Sequence, residues 1–158
     1  MTIDAIADSV AEAAHAGQTD KAGNDYITHP RRVADLVAPQ TPENRAAALL
    51  HDVLEDTPVT ARDLVDAGIP ASVVHAVALL TRRDEVPSDE YYAAIRTDPI
   101  ALAVKRADIA DNTDPARLAL LDSATPARLR AKYTAALHGA QLLQRAALRP
   151  VRAVMASG

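Results

Sequence analysis

The chain has 158 residues, enough for one domain with a real core and short for two. It is 49% hydrophobic and 24% charged, a globular balance, and it has no Cys, which excludes disulfides and thiolate metal sites and leaves nitrogen and oxygen as metal donors. A net charge of −4 with only a loose scatter of Arg near the C-terminus argues against nucleic acid, and apolar runs such as Ala46–Leu50 are far too short for a bilayer.

From the N-terminus, acids stand where a secretory signal would carry bases, so a cytoplasmic protein is expected. Ile3, Ile6, Ala7, Val10, Ala13 and Ala14 form the first apolar stripe at helical spacing. Gly17–Thr28 is a polar loop punctuated by glycine, ending at His29-Pro30. Thr41-Pro42, Asp98-Pro99, Asp114-Pro115 and Thr125-Pro126 each place a capping side chain before a proline that needs no N–H. His29-Pro30 has the same form, with an imidazole in the cap position. Thr60 with Asp63 has the form of a capping box, and Gly68 is placed to end that helix. The spacing predicts helices over about 2–16, 30–38, 42–56, 60–67, 70–81, 88–97, 99–111 and 126–147. No convincing period-two run occurs, and the apolar residues are mostly Ala, Leu and Val, with no Phe or Trp. The expected fold is all-α, a compact bundle of about eight helices in a single domain over 1–158, its tail after about 150 frayed.

Two segments carry chemistry. In Leu49-Leu50-His51-Asp52-Val53-Leu54-Glu55-Asp56, a regular helix with His51 at zero puts Glu55 near about 40°, Asp52 near about 100° and Asp56 near about 140°. An imidazole and three carboxylates on one edge of an apolar helix are costly to bury without a cation; a solvated polar face is the plainer alternative. In Lys105-Arg106-Ala107-Asp108-Ile109-Ala110-Asp111-Asn112, the residues Lys105, Asp108 and Asn112 share a face, which on its own is an ordinary ion pair.

The ordered set His-Pro, then Leu-Leu-His-Asp-x-x-Glu-Asp-Thr, then Lys-x-Ala-Asp-x-x-x-Asn resembles the HD-type hydrolase domain of the RelA/SpoT alarmone enzymes, especially the stand-alone small alarmone hydrolases. The resemblance runs from about His15 to about residue 140. It implies a compact HD-type helical bundle with His29, His51, Asp52 and Asp108 as metal ligands, Glu55 and Asp56 activating the attacking water, and Lys21, Tyr26, Lys105 and Asn112 contacting substrate. It implies Mn²⁺, with Fe, Co or Zn also suited to such donors. The reaction it implies is hydrolysis of the 3′-pyrophosphate of guanosine or adenosine alarmones such as ppGpp or pppApp, releasing pyrophosphate. The alternatives are an HD-type nucleotidase or phosphodiesterase on another nucleotide, and a non-catalytic alarmone sensor. The partner is a small-molecule nucleotide, with no nucleic acid or membrane.

The chain departs from this pattern at Asp20, where many relatives have an Arg that stacks on the base, and at Asp25, where Pro is usual. Ile109, Ala110 and Asp111 also depart, and none of the departures is expected to touch the ligand set. His15, His75 and His138 lack carboxylates at ligand spacing and read as structural. Tyr91-Tyr92 reads as packing before base stacking.

Overall fold

The computed structural model describes residues 1–20, 22–115 and 127–147. These form helices α1 (Ile3–Ala14), α2 (Thr28–Leu36), α3 (Pro42–Leu50), α4 (Val53–Asp56), α5 (Ala61–Asp66), α6 (Ala71–Leu80), α7 (Ser88–Arg96), α8 (Pro99–Asn112) and α9 (Ala127–Ala147). No strand occurs among the described residues, only an isolated bridge between Thr19 and Asp25. The all-α expectation therefore holds.

Side-chain caps open α1, α3, α5 and α8. The Thr41 side chain accepts from the Asn44 N–H and the Asp98 side chain from the Ala101 N–H, each with proline opening the helix. Thr60 and Asp63 form the reciprocal box, and Gly68 follows α5 at φ +95°, a left-handed conformation that suits glycine. Asp114 is exposed, while Thr125-Pro126 and the chain after 147 lie outside the described residues.

Two expected boundaries differ. Helix α2 begins at Thr28, so His29 sits inside the first turn and does not cap it. The single helix expected over 42–56 is two: α3 ends at Leu50, His51 and Asp52 form a turn, and α4 resumes at Val53. The His51 N–H reaches back three residues to the Ala48 carbonyl at a long 3.4 Å, and Asp52 takes φ −102°, ψ −4°. No Gly or Pro marks this break, so periodicity continues straight through it.

Helices α3 and α8 form the centre. Six of the nine residues of α3 are buried, among them Ala46, Ala47 and Ala48, and α1, α2, α6 and α8 all pack on it. Helix α8 buries Ala101, Val104, Ala107, Asp108, Ile109 and Asp111 against α2, α3, α6, α7 and α9. With no Phe or Trp available, Leu50, Leu64 and Ile95 are the largest fully buried side chains among the described residues. Small side chains let α3 and α8 approach closely, and two buried histidines and two buried aspartates cluster where α2, α3 and α8 meet.

Candidate active site

The four donors reach the cluster from three segments of the chain. His29 comes from the first turn of α2, His51 and Asp52 from the turn between α3 and α4, and Asp108 from the middle of α8. The helix break matters here. On a continuous helix His51 and Asp52 would diverge by about 100°, whereas the turn brings His51 Nε2 to 3.1 Å from Asp52 Oδ2.

The ring nitrogens of both histidines are divided the same way. His51 Nδ1 lies 2.6 Å from the Ala48 carbonyl, which can only accept, so Nδ1 carries the proton and Nε2 presents a lone pair. His29 Nδ1 lies 2.8 Å from Asp111 Oδ2, with the same consequence. His29 Nε2 is 3.1 Å from Asp108 Oδ1 and 3.8 Å from Asp52 Oδ2, and His51 Nε2 is 3.5 Å from Asp108 Oδ1. Donors held at about 2.0–2.2 Å from one ion stand about 3 Å apart at right angles, so these separations suit a shared cation. His51 Nε2 is also shielded from solvent and makes no aligned hydrogen bond despite its close neighbours. An orphaned buried nitrogen facing carboxylates fits the missing ligand bond of a divalent metal. The residues present fit the group.

The electrostatics agree. Burial disfavours the charged His51 ring, but the Asp52 charge and the Asp108 and Asp52 contacts outweigh it and raise its pKa well above the usual value. Burial likewise opposes the His29 charge, and Asp108 and Asp111 raise it. Asp52 and Asp108 are pushed up by burial, yet the histidines beside them hold both below the ordinary carboxylate range.

Other expected residues surround this cluster. The carboxylates of Asp52, Glu55 and Asp56 offer oxygens within 4.8 Å of one another. Glu55 Oε1 accepts the Arg82 N–H at 2.6 Å, and burial, against that hydrogen bond, raises its pKa. Lys105 Nζ is 3.3 Å from Asp108 Oδ2, and Asn112 Nδ2 donates to Asp108 Oδ1 at 3.2 Å, so the three share a face as the spacing predicts. Burial opposes the Lys105 charge, but Asp108 keeps its pKa above the usual lysine value. The Tyr26 hydroxyl donates to Asp52 Oδ2 at 2.5 Å, which fixes that carboxylate. Lys21 lies outside the described residues. A cavity of about 480 Å³ opens over the cluster, lined by Tyr26, Glu55, Asp56, Tyr91, Lys105 and Asn112 among others.

Three residues escape the sequence reading. Asp111 is buried, and it bonds His29 Nδ1 with one oxygen while Arg32 Nε donates to the other at 3.0 Å. The departure at Asp111 therefore does touch the ligand set, through His29. His138, read as structural, is exposed and lines the cavity, as does Arg82. His15 is buried, with Nδ1 on Gln18, and His75 is exposed, away from the cavity lining. Tyr91 and Tyr92 are buried and meet edge to face, which is packing as expected, although one side of each borders the cavity. No local signal marks Asp111 or the Arg82 N–H, because His29 lies 82 positions from Asp111 and Glu55 lies 27 positions from Arg82.

The HD domain family matches residues 7–107. The bifunctional (p)ppGpp synthase/hydrolase SpoT of Escherichia coli K12 is 53% identical over 57 residues, 35% of this chain and 8% of that protein. A guanosine-3′,5′-bis(diphosphate) 3′-pyrophosphohydrolase of Vibrio cholerae is 44% identical over 79 residues, 49% of this chain and 11% of that protein. The chain thus matches only about a tenth of the length of these curated relatives. A solved structure described as a metazoan ortholog of SpoT that hydrolyzes ppGpp has a TM-score of 0.57 at 20% identity, covering 90% of this chain and 98% of that one, a likeness of fold. The family match takes in the segments carrying His29, His51 and Asp52 and well over half of the sequence, so this chain belongs to the HD domain family.

Proposed function

We propose that this chain is a Mn²⁺-dependent hydrolase of the 3′-pyrophosphate of guanosine or adenosine alarmones such as ppGpp or pppApp, a cytoplasmic enzyme acting through a single domain. One observation carries the reading: two imidazole Nε2 atoms, both backed at Nδ1, converge with Asp52 and Asp108 beside the Glu55–Asp56 pair. The activities named for the relatives support the substrate class. A cavity of about 480 Å³ is of nucleotide size.

His29, His51, Asp52 and Asp108 would hold the ion, which supplies positive charge to the phosphate and acidifies water. Tyr26 keeps the Asp52 carboxylate in place, and Lys105 and Asn112 do the same for Asp108. Glu55, with Asp56 beside it, takes a proton from the attacking water. The water oxygen bonds to the phosphorus next to O3′, the P–O3′ bond breaks, and O3′ receives a proton to become the 3′-hydroxyl. Pyrophosphate and the 5′-phosphorylated nucleoside are released.

Base preference follows from the loop before α2. Asp20 replaces a stacking arginine, and its carboxylate accepts the N–H groups of Ala22 and Asn24 at 2.9 Å each. Asp20 thus shapes its own loop, and adenine and guanine substrates are expected within about tenfold in kcat/KM, since losing one stack is worth about that factor. The test is to incubate Mn²⁺-loaded protein with ppGpp, ppApp and their 3′-monophosphate counterparts. Pyrophosphate release from the first two is expected. Orthophosphate release alone would favour a nucleotidase, and tight binding without turnover would favour a sensor.

A further inference from the structure

Arg82 follows the end of α6 and belongs to none of the motifs above. Its main-chain N–H holds Glu55 Oε1. Its side chain turns away from that carboxylate: the guanidinium carbon lies 4.6 Å from the centre of the Tyr91 ring, and Nη2 donates to Ser88 Oγ at 2.5 Å.

The charge balance around it is unusual. Asp52, Glu55, Asp56 and Asp108 all border the same cavity. Arg31, Arg32, Arg45 and Arg62 each pair with a carboxylate, and so does Lys105; of the described arginines without such a pair, Arg82 borders this cavity, while Arg83, Arg96 and Arg106 do not line it. Among the described residues, no carboxylate lies within ion-pair distance of the Arg82 guanidinium. It is nevertheless held, by a ring face and a hydroxyl. Ser88 Oγ accepts from Arg82 and keeps its own O–H to donate, so the pair offers the cavity donors and positive charge.

Position then selects the ligand. Lys105 Nζ lies 5.4 Å from the centre of the Tyr91 ring that carries Arg82, and it also contacts Asp108 in the metal-binding cluster. A phosphoryl group at the cluster therefore has Lys105 beside it, and the Arg82–Ser88 pair lines the same cavity at the Tyr91 ring that Lys105 also approaches. We infer that Arg82 and Ser88 form the subsite for the terminal phosphate of a 3′-pyrophosphate, so that the site takes a diphosphoryl group in preference to a monophosphoryl one. This rests on the hydrolase reading above. It also ties recognition to chemistry, because the residue that grips the far phosphate holds the water-activating Glu55 through its own backbone.

Arg82→Gln tests this cleanly, since it removes the guanidinium and leaves the N–H on Glu55 in place. Inorganic pyrophosphate and orthophosphate, each pre-equilibrated with Mn²⁺, are titrated calorimetrically into Mn²⁺-loaded wild-type, Arg82→Gln, Arg82→Lys and Ser88→Ala proteins. Metal content and melting temperature are checked alongside. Pyrophosphate affinity should fall about tenfold or more in Arg82→Gln, the scale of one charge-assisted contact, with orthophosphate nearly unchanged. Arg82→Lys should recover part of the loss, because it restores charge without the planar fork. In turnover, KM for ppGpp should rise more than kcat falls. Equal losses for both anions, or no loss for either, would overturn the subsite. If wild-type protein cleaves no 3′-pyrophosphate yet Arg82→Gln still loses pyrophosphate selectively, the subsite stands and the proposed reaction fails. If wild-type protein does cleave it while Arg82→Gln keeps its preference for pyrophosphate, the reaction stands and the subsite fails.

Discussion

His29 and His51 present the same nitrogen to the same cluster on different kinds of support. His51 Nδ1 bonds the Ala48 carbonyl of its own chain segment, so the backbone alone fixes its tautomer. His29 Nδ1 depends on Asp111, which lies 82 positions away and is itself gripped by Arg32. A carboxylate behind a metal-binding imidazole sets its orientation and raises its basicity, and losing one typically weakens metal binding about 10–100-fold. Asp111→Asn should therefore lower Mn²⁺ affinity by about that factor, read by metal titration, while the protein stays folded. Glu55→Gln should do the reverse. It keeps the side-chain shape and a hydrogen-bonding oxygen for the Arg82 N–H, so metal content should hold while turnover falls by roughly 10²-fold, as expected for a lost general base. Equal metal loss in the two variants would show that Glu55 belongs to the ligand set and that its assignment to water is wrong.

At the scale of helices, the sequence shows starts better than interruptions. Thr41-Pro42, Asp98-Pro99 and the Thr60–Asp63 box are local devices, written within three or four residues, and each sits where its pattern indicates. The turn at His51–Asp52 carries no breaker residue and keeps the apolar period, so only tertiary packing discloses it. Asp111 and Arg82 are hidden for the same reason: each acquires its role from a neighbour on another element, as His138 acquires its place in the cavity lining from the fold alone. The His-Asp, Glu-Asp and Lys-x-Ala-Asp segments are legible because their residue types are unusual on apolar helices, whatever the backbone between them does. The approach of α9 to α7 is not legible, and it makes a prediction. A Cβ built on Gly139 would overlap the Tyr92 hydroxyl and lie 2.7 Å from its Cζ. Gly139→Ala gains up to about 1 kcal/mol of helix propensity, against about 1–3 kcal/mol for overpacking a tight contact. A net loss in denaturant unfolding is expected, and adding Tyr92→Phe should recover part of it. A Gly139→Ala protein more stable than wild type would mean that α9 sits farther from α7. Because Tyr92 borders the cavity and Lys105 Nζ lies 5.8 Å from its ring centre, the same change should also raise KM.

For the molecule as a whole, the cluster joins α2, the α3–α4 turn and α8, so an ion bound there ties together three segments distant in sequence. Anything that binds only the folded state stabilises it, by about 4 kcal/mol at a thousandfold excess over Kd. Chelation should therefore lower the melting temperature, and the size of the drop should depend on pH with a definite sign. In the metal-free protein, burial opposes the charge on His29 and His51, but the neighbouring carboxylates raise both pKa values above normal. A raised histidine pKa contributes stability that is complete below the unfolded value of about 6.5 and is lost as pH climbs through the folded value. The chelated protein should accordingly become less stable as pH rises through and above neutrality. The ion needs both imidazoles neutral, so binding expels their protons and apparent affinity rises over the same range. Metal-loaded protein should then hold its stability or gain it where the chelated form loses it, and the two melting curves should diverge toward alkaline pH. Calorimetric titration of Mn²⁺ in two buffers of different ionisation enthalpy reads the protons directly: net release is expected near neutral pH, shrinking as pH rises past the folded histidine values. Proton uptake, or melting temperatures that stay parallel across this range, would mean that His29 and His51 do not serve as neutral ligands and that the cluster is an ion-pair network in its own right.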